Sequence, residues 1–217
     1  ADHNVLIEHI KVLGVGGVHV NNATVRLHDI MIKQNSRTDE GGGIKIYNST
    51  VELVNAVIDS NASTSNYGGG VSIQQSMVTM NEVEITNNTS SASGGGIYIT
   101  SSVLSITNSS VENNNSNNHG GGIYQNGGNL VCSYVNINNN HSNDEGGGLH
   151  STYSSLLNIS NSNFEYNFAQ EGGGLFLSWG GNASNTIPDT LLDCVVNNNY
   201  SLNEGGGIYL VGNRPVY

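Results

Sequence analysis

Gly41-Gly42-Gly43-Ile44-Lys45-Ile46 decides the fold, because the stretch returns. A triple glycine runs into an aliphatic residue at Ile44, Val71, Ile97, Ile123, Leu149, Leu175 and Ile208, in steps of 27, 26, 26, 26, 26 and 33 residues. A fixed period in this range is the mark of a repeat architecture. After Gly43, Ile44 and Ile46 alternate with Lys45, Val51 and Leu53 with Glu52, and Ala56 and Ile58 follow before Asn61. Such alternation places each aliphatic set on one face of a short strand. The same offsets give Val71, Ile73, Val78, Met80, Val83, Ile85 and Asn88 in the next turn. An earlier turn hides behind a missing third glycine: Val18, Val20, Val25, Leu27, Ile32 and Asn35 fit the template.

Helix is a poor alternative, since Asn and Gly are weak helix formers and nothing persists at 3.6 spacing. A hairpin meander would not repeat every 26 residues. The pattern predicts an all-β fold, a single-stranded right-handed parallel β-helix (a β-solenoid) with about three short strands per 26-residue turn. Turns would stack at about 4.8 Å, with aliphatic columns inside. Residues 1–217 read as one such domain with a loop insertion at 180–189. The chain begins and stops mid-turn, so we expect a longer protein or copies stacked end to end.

Composition narrows the partners. The 217 residues carry a net charge of −11 and only 6 Lys plus Arg. Nucleic acid is therefore not an expected partner, because phosphate neutralisation needs cations. No apolar run approaches the roughly 18 residues of a spanning helix, so membrane insertion of this segment is not expected. Cys132 and Cys194 are too few for a disulfide framework and are expected as buried free thiols.

Each turn also pairs its glycine element with an aliphatic-x-x-Asn element: Ile32 to Asn35, Ile58 to Asn61, Ile85 to Asn88, Val111 to Asn114, Ile137 to Asn140, Phe164 to Asn167 and Val196 to Asn199. This resembles the paired GGA[ILV] and FxxN tetrapeptides of the polymorphic outer-membrane protein repeats of chlamydial autotransporter passengers. Gly replaces Ala in the first element, and only Phe164 matches the Phe of the second. The resemblance implies a right-handed parallel β-helix on a cell surface, with adhesive or structural roles.

Sequons of the form N-x-[ST] open at Asn22, Asn48, Asn61, Asn87, Asn88, Asn108, Asn114, Asn140, Asn158, Asn182 and Asn199. Asn61, Asn88, Asn114, Asn140 and Asn199 hold one place in their turns. That column reads either as a row of glycans or as a ladder of stacked amides. Asn35 and Asn167 keep the column without a sequon, which favours the ladder. The position after the first aliphatic reads Lys45, Ser72, Tyr98, Tyr124, His150, Phe176 and Tyr209, an expected outward aromatic stripe at Tyr98, Tyr124, His150, Phe176 and Tyr209. It would be either self-stacking or a platform for sugar rings or a neighbouring subunit.

Acids precede the triple glycine at Glu40, Glu145, Glu171 and Glu204. A cation such as Ca²⁺ would relieve stacked carboxylates, but the GGxGxD pattern is absent, so no cofactor is expected. The histidines show no metal-ligand spacing. Asp59 with Glu112, and Glu52, Glu82 and Glu84, are the carboxylates to test for polysaccharide hydrolysis. The expectation is a non-enzymatic extracellular or cell-surface rod, structural or adhesive, whose partners are further copies, other surface or matrix proteins, or carbohydrate. A polysaccharide lyase or hydrolase of the pectate-lyase-like β-helix type is the alternative.

Overall fold

The computed structural model describes residues 4–14, 16–152, 156–179 and 189–212. The insertion expected at 180–189 thus lies outside them, Asp189 excepted. Every strand pair among the described residues is parallel. In the first column Ile44 pairs with Val71, Val71 with Ile97, Ile97 with Ile123, Ile123 with Leu149, Leu149 with Leu175 and Leu175 with Ile208. The glycine repeat is therefore the repeat of the coil. These aliphatics, Ile208 apart, are fully buried, as are Leu53, Met80, Ile106, Cys132 and Ile159 on the next face.

One coil shows the plan. Ile44–Tyr47 forms the first face, and Thr50–Asp59 forms the second and third, bent at Asn55. The pair Ala62–Ser63 then adds a fourth strand that alternation could not reveal, because two residues show no period. Counterparts of this pair make a separate seven-stranded sheet. The expected three strands per turn are thus three faces plus this short fourth.

Corners explain the composition. In this coil the chain turns at Asn48, Asn55 and Ser60, each with φ between 44° and 57°, and then at Gly68 with φ 68°. The left-handed region costs most L-residues roughly 1–2 kcal/mol and Asn less, which is why each corner column is rich in Asn, Asp and Ser. The triple glycine answers three different walls. A Cβ on Gly94 would lie 2.5 Å from the Ile97 carbonyl oxygen. One on Gly95 would lie 2.4 Å from the Gly121 oxygen and 2.5 Å from that of Asn115. One on Gly96 would lie 2.7 Å from the Gly122 oxygen and 3.0 Å from the Asn114 amide nitrogen.

That amide belongs to a ladder. Asn61 Nδ2 donates to Asn88 Oδ1 at 3.0 Å, Asn88 to Asn114 at 3.0 Å, Asn114 to Asn140 at 3.1 Å and Asn140 to Asn167 at 3.1 Å. Each oxygen also accepts the backbone N–H of the rung before it, as Asn114 Oδ1 does from Asn88 at 2.9 Å. Each nitrogen donates a second time to a carbonyl, as Asn114 does to Ile85. Buried polar groups that are fully paired in this way hold the stack in register.

Candidate functional site

The structure resolves the asparagine column as that ladder. Asn61, Asn88, Asn114 and Asn140 are no more than 1% exposed. Their side-chain nitrogens are committed, so the folded protein does not present these four expected acceptors. A sugar on any of them would hold a rung out of the corner. Asn199 is the half-buried last rung, and Asn182 lies outside the described residues. Asn22, Asn48, Asn87, Asn108 and Asn158 are exposed.

The aromatic stripe forms, but it is not an open platform. Ring centroids step from Tyr67 to Tyr98 at 4.5 Å, to Tyr124 at 5.5 Å, to His150 at 5.1 Å and to Phe176 at 4.8 Å, all stacked. Tyr98 is 8% exposed, and His150 and Phe176 are 4% exposed. The column points away from the core, yet the turn before each triple glycine folds back over it. The close approach of Gly94 to the Tyr98 backbone, 2.9 Å from an added Cβ, is that fold-back. Burial, then the neighbouring Tyr124 and Tyr67, pushes the Tyr98 hydroxyl up to about 12.

The same fold-back sets the residue before the triple glycine against the one five positions later. Glu40 meets Lys45 at 3.4 Å, and Glu145 Oε2 meets His150 Nε2 at 3.0 Å. At the second pair the previous coil adds His119, whose Nδ1 lies 3.4 Å from Glu145 and 3.5 Å from Asp144. Ligand-type atoms of His119, Glu145 and His150 all lie within 4.8 Å of one another. The expectation that no histidines group for a metal is therefore corrected. The spacing hid because one partner sits 26 residues away, one coil below, and the other across the corner. His150 is pushed down by its burial, and its hydrogen bond holds the Glu145 carboxyl below the usual range.

The carboxylates considered for hydrolysis do not pair. Asp59 and Glu112 are two coils apart with Thr86 between them in register, not on neighbouring turns. Asp59 is taken by Lys33 at 3.3 Å, Asn87 at 2.8 Å and Thr86 at 3.1 Å. Glu52 is held by Arg26 at 3.0 Å. Glu82 sits at a corner with φ 56°, and Glu84 lies on the next face, where its charge adds to the burial that raises Glu112. Cys132 is buried and its thiol pushed up to about 12 by burial, whereas Cys194 is only half-buried, contrary to expectation, in a coil with Leu192 and Val195 exposed.

A further feature escaped sequence reading. A shallow trough of about 870 Å³ runs along the corner between the first and second faces. It crosses five coils, at Asn22, Asn48, Gln75, Ser101 and Gly128. Its floor is a serine ladder: Ser49 N–H donates to Ser76 Oγ and Ser76 N–H to Ser102 Oγ, both at 3.0 Å. Asn, Gln, Ser and Thr line it with Met77 and Val103, and none of the described residues that line it is ionisable.

Comparison with known proteins agrees with this geometry. Residues 193–210 match the Chlamydia polymorphic membrane protein repeat. No curated protein and no solved structure matches the chain. Residues 16–192 match the right-handed β-helix region, and the coil of parallel faces described above is that fold: the chain belongs to the right-handed β-helix family.

Proposed function

We propose that this protein is a rigid rod displayed on a cell surface, an adhesive passenger rather than an enzyme, and that the corner trough grips a neutral glycan chain. The trough is the observation that carries the reading. It is long, straight and concave, and its amide and hydroxyl groups suit sugar hydroxyls. Met77, 55% exposed in its middle, offers an apolar contact for a ring face. With no acid or base among the described lining residues, the trough supports holding a glycosidic bond rather than cleaving one. The match to a chlamydial membrane-protein repeat supports display at a surface. The paired Asn and Ser ladders supply the stiffness that a spacer needs.

The test is retention on immobilised neutral and uronic-acid polysaccharides, with reducing ends assayed in the flow-through. We expect retention on a neutral glycan, no new reducing ends, and at least about tenfold weaker binding in Met77→Glu, whose exposed position leaves the fold intact. Released oligosaccharides would overturn the non-enzymatic reading. Retention unchanged in Met77→Glu, or no retention on any glycan, would overturn the trough.

A further inference from the structure

We propose that His119, Glu145 and His150 form a binding site for one divalent transition ion of the zinc class. The donor set is two imidazoles and one carboxylate, a combination suited to zinc and its neighbours rather than to Ca²⁺, which takes oxygen ligands. Distances are close to what such an ion needs. Bonds of about 2.0–2.1 Å in a tetrahedral shell put ligand atoms roughly 3.4 Å apart. Glu145 Oε2 already stands 3.0 Å from His150 Nε2 and 3.4 Å from His119 Nδ1. The third edge, between the imidazoles, is within 4.8 Å, and the two rings lie stacked at 4.9 Å, so a bound ion would have to splay His119, the less buried of the two.

Three independent observations point to a cation here. First, His119 Nδ1 is buried and makes no hydrogen bond, although two carboxylates lie within 3.5 Å. That ring nitrogen is left uncommitted beside the two carboxylates, as a ligand position would be. Second, among the described residues no Lys or Arg pairs with the acids here. Asp144, Glu145, Glu171 and Glu204 gather along this edge, and no Lys or Arg occurs between Lys45 and Arg214. Third, His150 is clamped. Tyr124 stacks on one side at 5.1 Å and Phe176 on the other at 4.8 Å, which fixes the ring and aims Nε2 at Glu145.

Three ligands leave a tetrahedral ion one open position, and Asp144 stands beside it, 3.5 Å from His119 Nδ1. The site lies on a different corner from the trough, so the two proposals stand or fall separately.

The experiment uses protein stripped with chelator, titrated calorimetrically with Zn²⁺ and, for a spectroscopic signature, with Co²⁺. We expect one ion per chain, visible absorption of a tetrahedral Co²⁺ complex, and no displacement by millimolar Ca²⁺. His150→Phe keeps the ring stack, because Phe176 occupies the same position one coil on. It should fold as the parent does and bind at least about tenfold more weakly. Glu145→Gln and His119→Ala should weaken binding similarly. No 1:1 binding, binding undiminished in His150→Phe, or displacement by Ca²⁺ would each overturn the proposal.

Discussion

The corner at Glu40 and the corner at Glu145 occupy the same place in the repeat, and they surround their acids with opposite kinds of partner. At the first, Lys45 reaches both Asp39 at 3.3 Å and Glu40 at 3.4 Å, and Arg37 holds Asp39 at 2.7 Å. Fixed cations do the work, and they hold the Asp39 carboxyl down at about 2. At the second, every partner is an imidazole, and one of them is locked in a ring stack. The backbone is common to both, so the difference lies wholly in which side chains the coil presents. A solenoid separates the two concerns: hydrogen-bonded ladders fix the shape, and the columns beside them are free to vary from turn to turn. The asparagine column is almost uniform because only an amide both donates twice and accepts twice at that corner. The neighbouring column runs Lys45, Ser72, Tyr98, Tyr124, His150, Phe176, Tyr209 because any side chain that lies flat is accommodated.

The largest effect should come from breaking what the corners share. Gly42→Ala would bring a Cβ to 2.4 Å from the Gly69 oxygen, and Gly147→Ala to 2.4 Å from that of Gly173. Both neighbours are backbone and cannot yield. Each substitution should cost roughly 4 kcal/mol or more in denaturant unfolding, equally at the two corners. A mild effect at either would mean that the coil adapts there.

A reciprocal exchange of side chains should give a smaller and unequal pair of effects. His150→Lys removes three ring contacts, with Tyr124, His119 and Phe176, worth about 0.5–1.5 kcal/mol each, and puts an ammonium where only 4% of the residue is exposed, so roughly 2–4 kcal/mol is expected. Lys45→His has no ring partner to lose, since Ser72 and His19 flank it in register. Its ion pairs are partly exposed, and about 1 kcal/mol or less is expected. Equal losses would remove the distinction drawn between the corners.

Much of this was legible in residues alone, for physical reasons. Ile44, Val71 and Ile97 could be placed in one column because parallel stacking makes sequence period and spatial register the same quantity. The ladder was readable in part, because Asn35 and Asn167 kept the column where no sequon required it. Besides the trough, three things were hidden. The pair Ala62–Ser63 is too short for alternation. The stripe at Tyr98 looked exposed because alternation tells inside from outside, not whether a loop returns to cover the outside. The His119–Glu145–His150 group joins one residue from the coil below to two across a glycine corner, and no linear spacing rule encodes that. A search at offsets of one period plus or minus five residues would have found it.

Acid should separate the corners most gently. The His150 ring has its affinity for a proton lowered by the fold, so below its unfolded value of about 6.5 the unfolded chain takes up a proton that the folded one refuses. Stability from this group is present above that pH and is lost as pH falls below it. Asp39 is also depressed, but against an unfolded value near 3.8, so its contribution stays intact until pH falls below that value and fades toward 2. Amide exchange at Gly146–Leu149, corrected for intrinsic rate, should therefore quicken as pH falls below about 6.5, while exchange at Gly41–Ile44, corrected in the same way, holds until below about pH 4. His150→Phe should delete the first limb and leave the second untouched. If both corners loosened at one pH, the coils would be opening together, and the rod would behave as a single cooperative unit rather than as a stack whose corners respond separately.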